Sequence, residues 1–178
     1  MIYALPVTLI ANKPTPLERE MKRCTGKLTV TGDGVGAVRV GESLAQVKKV
    51  CRIRPVRLKK GERPPPDDLL DFKIGPTPVQ AQIEGGRVWR IVVDGPLLKT
   101  GDRLGVGSPV SALLAAGPAR ASQREGVIYA SLPNRCGLIF QLSYRPRRGE
   151  DRDAWTPDTL ALLPAEAVIE RVLISGCR

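Results

Sequence analysis

The segment Val38-Arg-Val-Gly-Glu-Ser-Leu-Ala-Gln-Val47 is echoed 66 residues later by Leu104-Gly-Val-Gly-Ser-Pro-Val-Ser-Ala-Leu113. Each reads as a short strand, a glycine turn and the first turns of an amphipathic helix. In the first, Ser43 followed by Gln46 has the form of a capping box. In the second, Ser108 is placed to cap, with Pro109 at the first helical position, where its missing N–H costs nothing. The spacing predicts short helices over Leu44–Cys51 and Pro109–Ala116, the latter stopped by Gly117-Pro118.

A second echo follows in the same order. Val88-Trp-Arg-Ile-Val-Val-Asp-Gly95 matches Ile169-Glu-Arg-Val-Leu-Ile-Ser-Gly176 at an offset of 81, each with a central Arg and a glycine stop. Strand-like runs precede both, at Val79–Ile83 and at Leu138–Leu142. Gly85-Gly86 predicts a hairpin with a two- or three-residue loop, and the choice decides whether Val88 or Trp89 faces inward. The expectation is an α+β fold of two similar repeats, each a short helix packed on an antiparallel β-sheet. The boundaries are an N-terminal extension over 1–23, a first repeat over 24–96 and a second over 97–178. Equivalent positions should then share burial: Val40 with Val106, Leu44 with Val110, Val47 with Leu113, Ile91 with Val172. The Pro-rich and charged stretches at 11–20, 60–68 and 145–153 read as exposed loops.

Composition narrows the chemistry. The 178 residues carry 28 Lys plus Arg against 18 Asp plus Glu, a formal charge of +10, and no histidine. Lacking histidine, the chain lacks the commonest general base and a major metal ligand. No serine has a histidine to activate it, and S-x-x-K does not occur. The carboxylates around Asp67–Asp71 and Glu150–Asp158 fall in predicted loops, and Asp151-x-Asp153 continues to Thr156 and Leu162 where a calcium loop needs Gly and Glu. The glycine clusters at 32–36 and 104–107 lack phosphate-loop spacing. The expectation is therefore no catalytic, metal or cofactor site. No apolar run reaches the roughly 20 residues of a membrane span. Met1–Ile10 is apolar but has no basic residues before it, and reads as a mature-chain segment with any signal peptide already removed.

Cys24, Cys51, Cys136 and Cys177 contain no C-x-x-C, which disfavours a zinc site. Cys136 opens one strand-like run and Cys177 closes another, so antiparallel pairing of the two would bring these cysteines together. Cys24–Cys51 would be the second bridge. The other reading is four buried thiols in a cytosolic protein. Two disulfides place the chain outside the reducing cytosol, as a secreted or periplasmic protein.

The pattern Val40-Gly-Glu-Ser-Leu-Ala-Gln-Val47, followed by a strand holding Gly85-Gly-Arg-Val-Trp-Arg-Ile91, resembles small envelope modules of the BamE and β-lactamase-inhibitor-protein type. The inhibitor protein is a tandem of two such units. The resemblance implies an extracytoplasmic, non-catalytic module that binds other proteins through its sheet.

One charge feature stands out. Between residues 48 and 63 lie Lys48, Lys49, Arg52, Arg54, Arg57, Lys59, Lys60 and Arg63 against one acid, Glu62. Such a stripe suits an acidic protein, an envelope surface or nucleic-acid phosphates, while a plain solvated face has the same composition. It holds no aromatic residue to stack a base, which argues against nucleic acid. Trp155, following a charged loop, is either an exposed partner anchor or a cover for a sheet edge. The sequence thus reads as a protein-binding module for an acidic protein or envelope surface, with nucleic-acid binding through 48–63 as the alternative.

Overall fold

The computed structural model describes residues 27–51, 54–56, 68–147 and 155–177. A small antiparallel sheet is formed by β1 (Val30–Thr31), β2 (Gly34–Val35) and β3 (Val38–Arg39). Helix α1 (Leu44–Val50) leads into β4 (Arg54–Val56), β5 (Asp68–Ile74), β6 (Thr77–Glu84) and β7 (Arg87–Val93). Helix α2 (Val110–Ala115) leads into β8 (Arg120–Arg124), β9 (Val127–Ser131) and β10 (Leu138–Leu142). Helix α3 (Pro157–Ala161) then precedes β11 (Ile169–Ile174). The eight strands from β4 onward form one sheet in the order β4-β5-β6-β7-β11-β10-β9-β8, antiparallel at every pairing. The architecture is mixed α+β, mostly antiparallel sheet with few helices.

Local chemistry accounts for the elements. The Ser43 hydroxyl accepts from the Gln46 N–H, and the Gln46 side chain accepts from the Ser43 N–H, so the predicted capping box starts α1. The helix ends at Val50, with Cys51 as an extended C-cap. For α2 the expectation needs correction: Pro109 is the N-cap, with no side-chain cap bond. Ser108 is buried, and its Oγ instead accepts from the Gly105 N–H, bracing the turn before the helix. Glu84 pairs with Arg87, so Gly85-Gly86 is a two-residue loop, both glycines at positive φ as the tight hairpin requires. Val88 faces the core, and a register shift between Gln82 and Ile83 leaves Trp89 as the extra residue of a β-bulge. A shift between Gln141 and Leu142 leaves Glu170 as the extra residue in β11.

The two Gly-turn-helix segments are anchored alike. Gly41 N–H donates to the Val88 carbonyl, and Val88 N–H to the Glu42 carbonyl. Gly107 N–H donates to the Ile169 carbonyl, and Ile169 N–H to the Ser108 carbonyl. Isolated bridges join Ser43 to Arg87 and Pro109 to Val168. At the sheet centre Val92 pairs with Leu173, flanked by Ile91 with Ile174 and Val93 with Val172.

The core lies on one face of the sheet. Leu70, Phe72, Val79, Ala81, Ile83, Ile91, Val93, Ala130, Phe140, Val172 and Ile174 are buried there, and the buried residues Val47, Val110, Leu113 and Leu160 of the three described helices join the same cluster. Val40, Leu44 and Val106 pack against it partly buried. Because side chains alternate along a strand, Val92 and Leu173 face the other way, and both are buried outside that cluster.

Candidate functional site

The expected Cys136–Cys177 bridge is present, closing a separation of 41 residues with Cα atoms 5.2 Å apart. It ties the start of β10 to the end of β11, as the antiparallel pairing Leu138↔Ile174 requires. Cys51 is buried and disulfide-bonded, and its expected partner Cys24 lies outside the described residues. Backbones cross closely beside the first bridge. A Cβ on Gly32 would run into the Cys136 carbonyl, and one on Gly137 into the Gly32 carbonyl.

The cationic stripe is only partly described. Lys48 and Lys49 are exposed in the last turn of α1, where positive charge suits the helix dipole. Arg54 lies in β4, while Arg52, Arg57, Lys59, Lys60 and Arg63 lie outside the described residues. Trp155 is corrected as an exposed anchor, because it is buried at 4% exposure. It bridges antiparallel to Ala121 beside β8, its Nε1 donates to the Gln123 side chain, and its ring meets Tyr144 edge-on at 6.4 Å. Tryptophan here seals a sheet edge.

The outer face of the eight-stranded sheet, opposite the core, carries most of the polar structure. Strand alternation places Asp71, Gln80, Gln82, Arg90, Arg171, Gln141 and Tyr129 there, around Val92, Leu173 and Ile139. Gln80 donates to Asp71, Arg171 to Asp94, and both Gln141 and Arg145 to Glu170. The Arg145 hydrogen bond is the chief reason Glu170 stays ionised below the usual carboxylate range; burial opposes this, and the Gln141 bond reinforces it.

Arg90 is the exception on this face. Its guanidinium lies 4.0 Å from the centre of the Trp89 ring, a cation–π stack along the bulge. The Arg90 Nε and the Trp89 Nε1 are both buried without a hydrogen-bond partner. Burial lowers the pKa of Arg90, Tyr129 opposes that shift, and the like charge of Arg124 adds to it. Reasoning from the sequence marked the central Arg of Val88–Gly95 and the ambiguity at Trp89, but passed over Arg90, Arg124 and Tyr129 as site residues. The signal available was alternation, since a residue preceding the buried Ile91 must face outward.

A shallow depression of about 290 Å³ lies at the end of the sheet, against Ser143, Tyr144, Arg145, Pro164, Glu166 and Ala167. Among the described residues no group of three or more His, Cys, Asp or Glu could hold a metal ion. No described helix is long and apolar enough to cross a membrane.

No family model matches the chain, and no curated protein matches it by sequence. Among solved structures it is similar to the uncharacterized protein yfeY from Escherichia coli, with a TM-score of 0.54 and 14% identity over 83% of this chain and 99% of that one. At that identity the likeness bears on the fold alone.

Proposed function

We propose that the chain is a tandem of two α+β copies, roughly 24–96 and 97–178, which merge their strands into one sheet. We further propose that it is a non-catalytic secreted or periplasmic module that binds an acidic protein through the outer face of that sheet. The observation that carries the binding reading is Arg90: a stacked, half-buried cation on that face with a buried donor left unpaired. A partly buried cation with no acid beside it is undercompensated, and a partner's carboxylate meeting its Nη groups would supply the missing counter-charge.

The duplication is supported by three correspondences at the offsets seen in the sequence. The entry turns make the same pair of bonds, 41 and 42 with 88, 107 and 108 with 169. The bulges fall at Trp89 and at Glu170, again 81 apart. The central register pairs Ile91 with Ile174 and Val93 with Val172, as a two-fold axis between Val92 and Leu173 would. The extracytoplasmic reading draws on the Cys136–Cys177 bridge and on Cys51 being bonded too. We assign Cys24 as the partner of Cys51.

The test is partner capture with face-selective variants. Gln80→Glu and Gln141→Glu, which place negative charge on the sheet face, should abolish recovery of the partner by the immobilised protein, while Lys48→Glu with Lys49→Glu on α1 should leave it intact. The reverse pattern, or recovery of nucleic acid that falls steeply with salt, would refute the sheet-face reading in favour of the 48–63 stripe.

A further inference from the structure

We infer that Arg90, stacked on Trp89, is a receptor for a single carboxylate, an Asp or Glu side chain presented by an acidic protein partner. The inference rests on the sheet-face reading above and names the chemistry at its centre.

Three observations converge. First, the Arg90 guanidinium lies 4.0 Å from the centre of the Trp89 ring, so the indole covers one side of it and an anion approaches from another. Second, Glu170, Asp94 and Asp71 on the same face are each paired elsewhere, to Arg145, Arg171 and Gln80; the Arg90 Nε is covered by the protein itself, so a carboxylate would meet the guanidinium through its Nη groups. Arg145 and Arg171 on this face are matched with acids, and the half-buried Arg90 has no acid paired with it among the described residues. Third, Arg124 adds a like charge that acts on Arg90, so the positive potential there exceeds that of a lone guanidinium. A planar, two-oxygen anion fits a guanidinium edge in a way that a point charge does not. The formal charge of +10 favours an acidic partner in the approach as well.

The experiment titrates the full chain with hexaglutamate and follows the Arg90 Nε–H and Trp89 indole N–H signals by 1H–15N NMR. The chain has two tryptophans, so a Trp89→Phe variant assigns the indole peaks. Saturable movement of both signals is expected with hexaglutamate and none with hexaglutamine. Arg90→Gln should weaken binding about tenfold or more, the usual loss for a charged hydrogen bond. Arg90→Lys, which keeps the charge without the planar fork, should fall between. Should Arg90→Gln fail to fold, Arg90→Lys and Arg124→Gln give the same comparison. Unchanged affinity in these variants would overturn the assignment, as would inorganic phosphate moving both signals as far at equal concentration. The titration needs no partner. Arg90-dependent binding with partner capture indifferent to Gln80→Glu and Gln141→Glu would sink the sheet-face reading alone, and the converse would sink the carboxylate receptor alone.

Discussion

Val92 of β7 and Leu173 of β11 stand directly opposite each other at the middle of the sheet, buried on the face away from the main core. Three further strands lie to either side of this pair, β4 to β6 beyond β7 and β8 to β10 beyond β11. Its packing therefore helps hold the two halves of the sheet together, independently of the core beneath. Leu173→Ala should lower unfolding free energy by about 2–4 kcal/mol, the range for truncating a buried Leu. Val92→Ala should cost less. The double variant should depart from additivity by about 0.5 kcal/mol or more, as contacting residues do. Urea unfolding of the four proteins measures this, and strict additivity would mean the two side chains do not support each other.

Glycines of two kinds should respond differently to alanine. At Gly32 the added Cβ meets the Cys136 backbone carbonyl, which neither the disulfide nor the strand pairing lets move. Gly32→Ala should therefore cost about 1–3 kcal/mol or more from overpacking. At Gly41 the same atom meets open space, but φ is +89°. Only the backbone strain remains there, roughly 1–2 kcal/mol. Thermal unfolding should rank Gly32→Ala below Gly41→Ala, and equal losses would show that the Gly32 crossing can relax.

Local signals and long-range placement were not equally readable in the chain. The capping box at Ser43, the Gly85-Gly86 hairpin and the runs at 79–83 and 138–142 depend on neighbours a few residues away, and these elements formed where expected. Ser108 looked like a cap because of Pro109, yet its hydroxyl is taken by Gly105, and a side chain can serve only one such geometry. Trp155 was ambiguous because what buries it, Ala121, Gln123 and Tyr144, lies up to 34 residues away in sequence, from 121 to 155. Arg90 was hidden for a similar reason. An arginine in an outward position looks solvated until the bulge stacks it on Trp89 and its acidic neighbours prove to be engaged.

Removing the Cys136–Cys177 bridge tests its weight. Freeing a closed loop of 41 residues should destabilise the protein by about 4 kcal/mol if the loss is chain entropy alone. The Cys136→Ala, Cys177→Ala double variant should show a lower urea midpoint. Its effect should exceed that of Trp155→Phe, which keeps most of the aromatic contact with Tyr144. A midpoint unchanged from the parent would mean the Leu138↔Ile174 pairing and the glycine crossing already hold this corner.

Glu170 should give a pH signature. The folded state holds its carboxyl below the usual range, first through the Arg145 hydrogen bond and then through Gln141. The stabilisation is thus fully present above the ordinary carboxylate pKa and is lost as pH falls through the lowered folded value. Glu170→Gln cannot lose what it never had, so its unfolding temperature should lie below the parent's at pH 7 and converge on it as the medium is acidified towards the lowered value. The Glu170 side chain is 44% exposed, which keeps the neutral-pH difference within about 1 kcal/mol and makes it shrink with added salt. Arg145→Gln should reproduce the convergence, because it removes the larger cause from the other side. A constant gap between parent and Glu170→Gln from pH 7 down to pH 3 would show that the pairing does not discriminate the ionised form, and that Glu170 serves the bulge only through its shape.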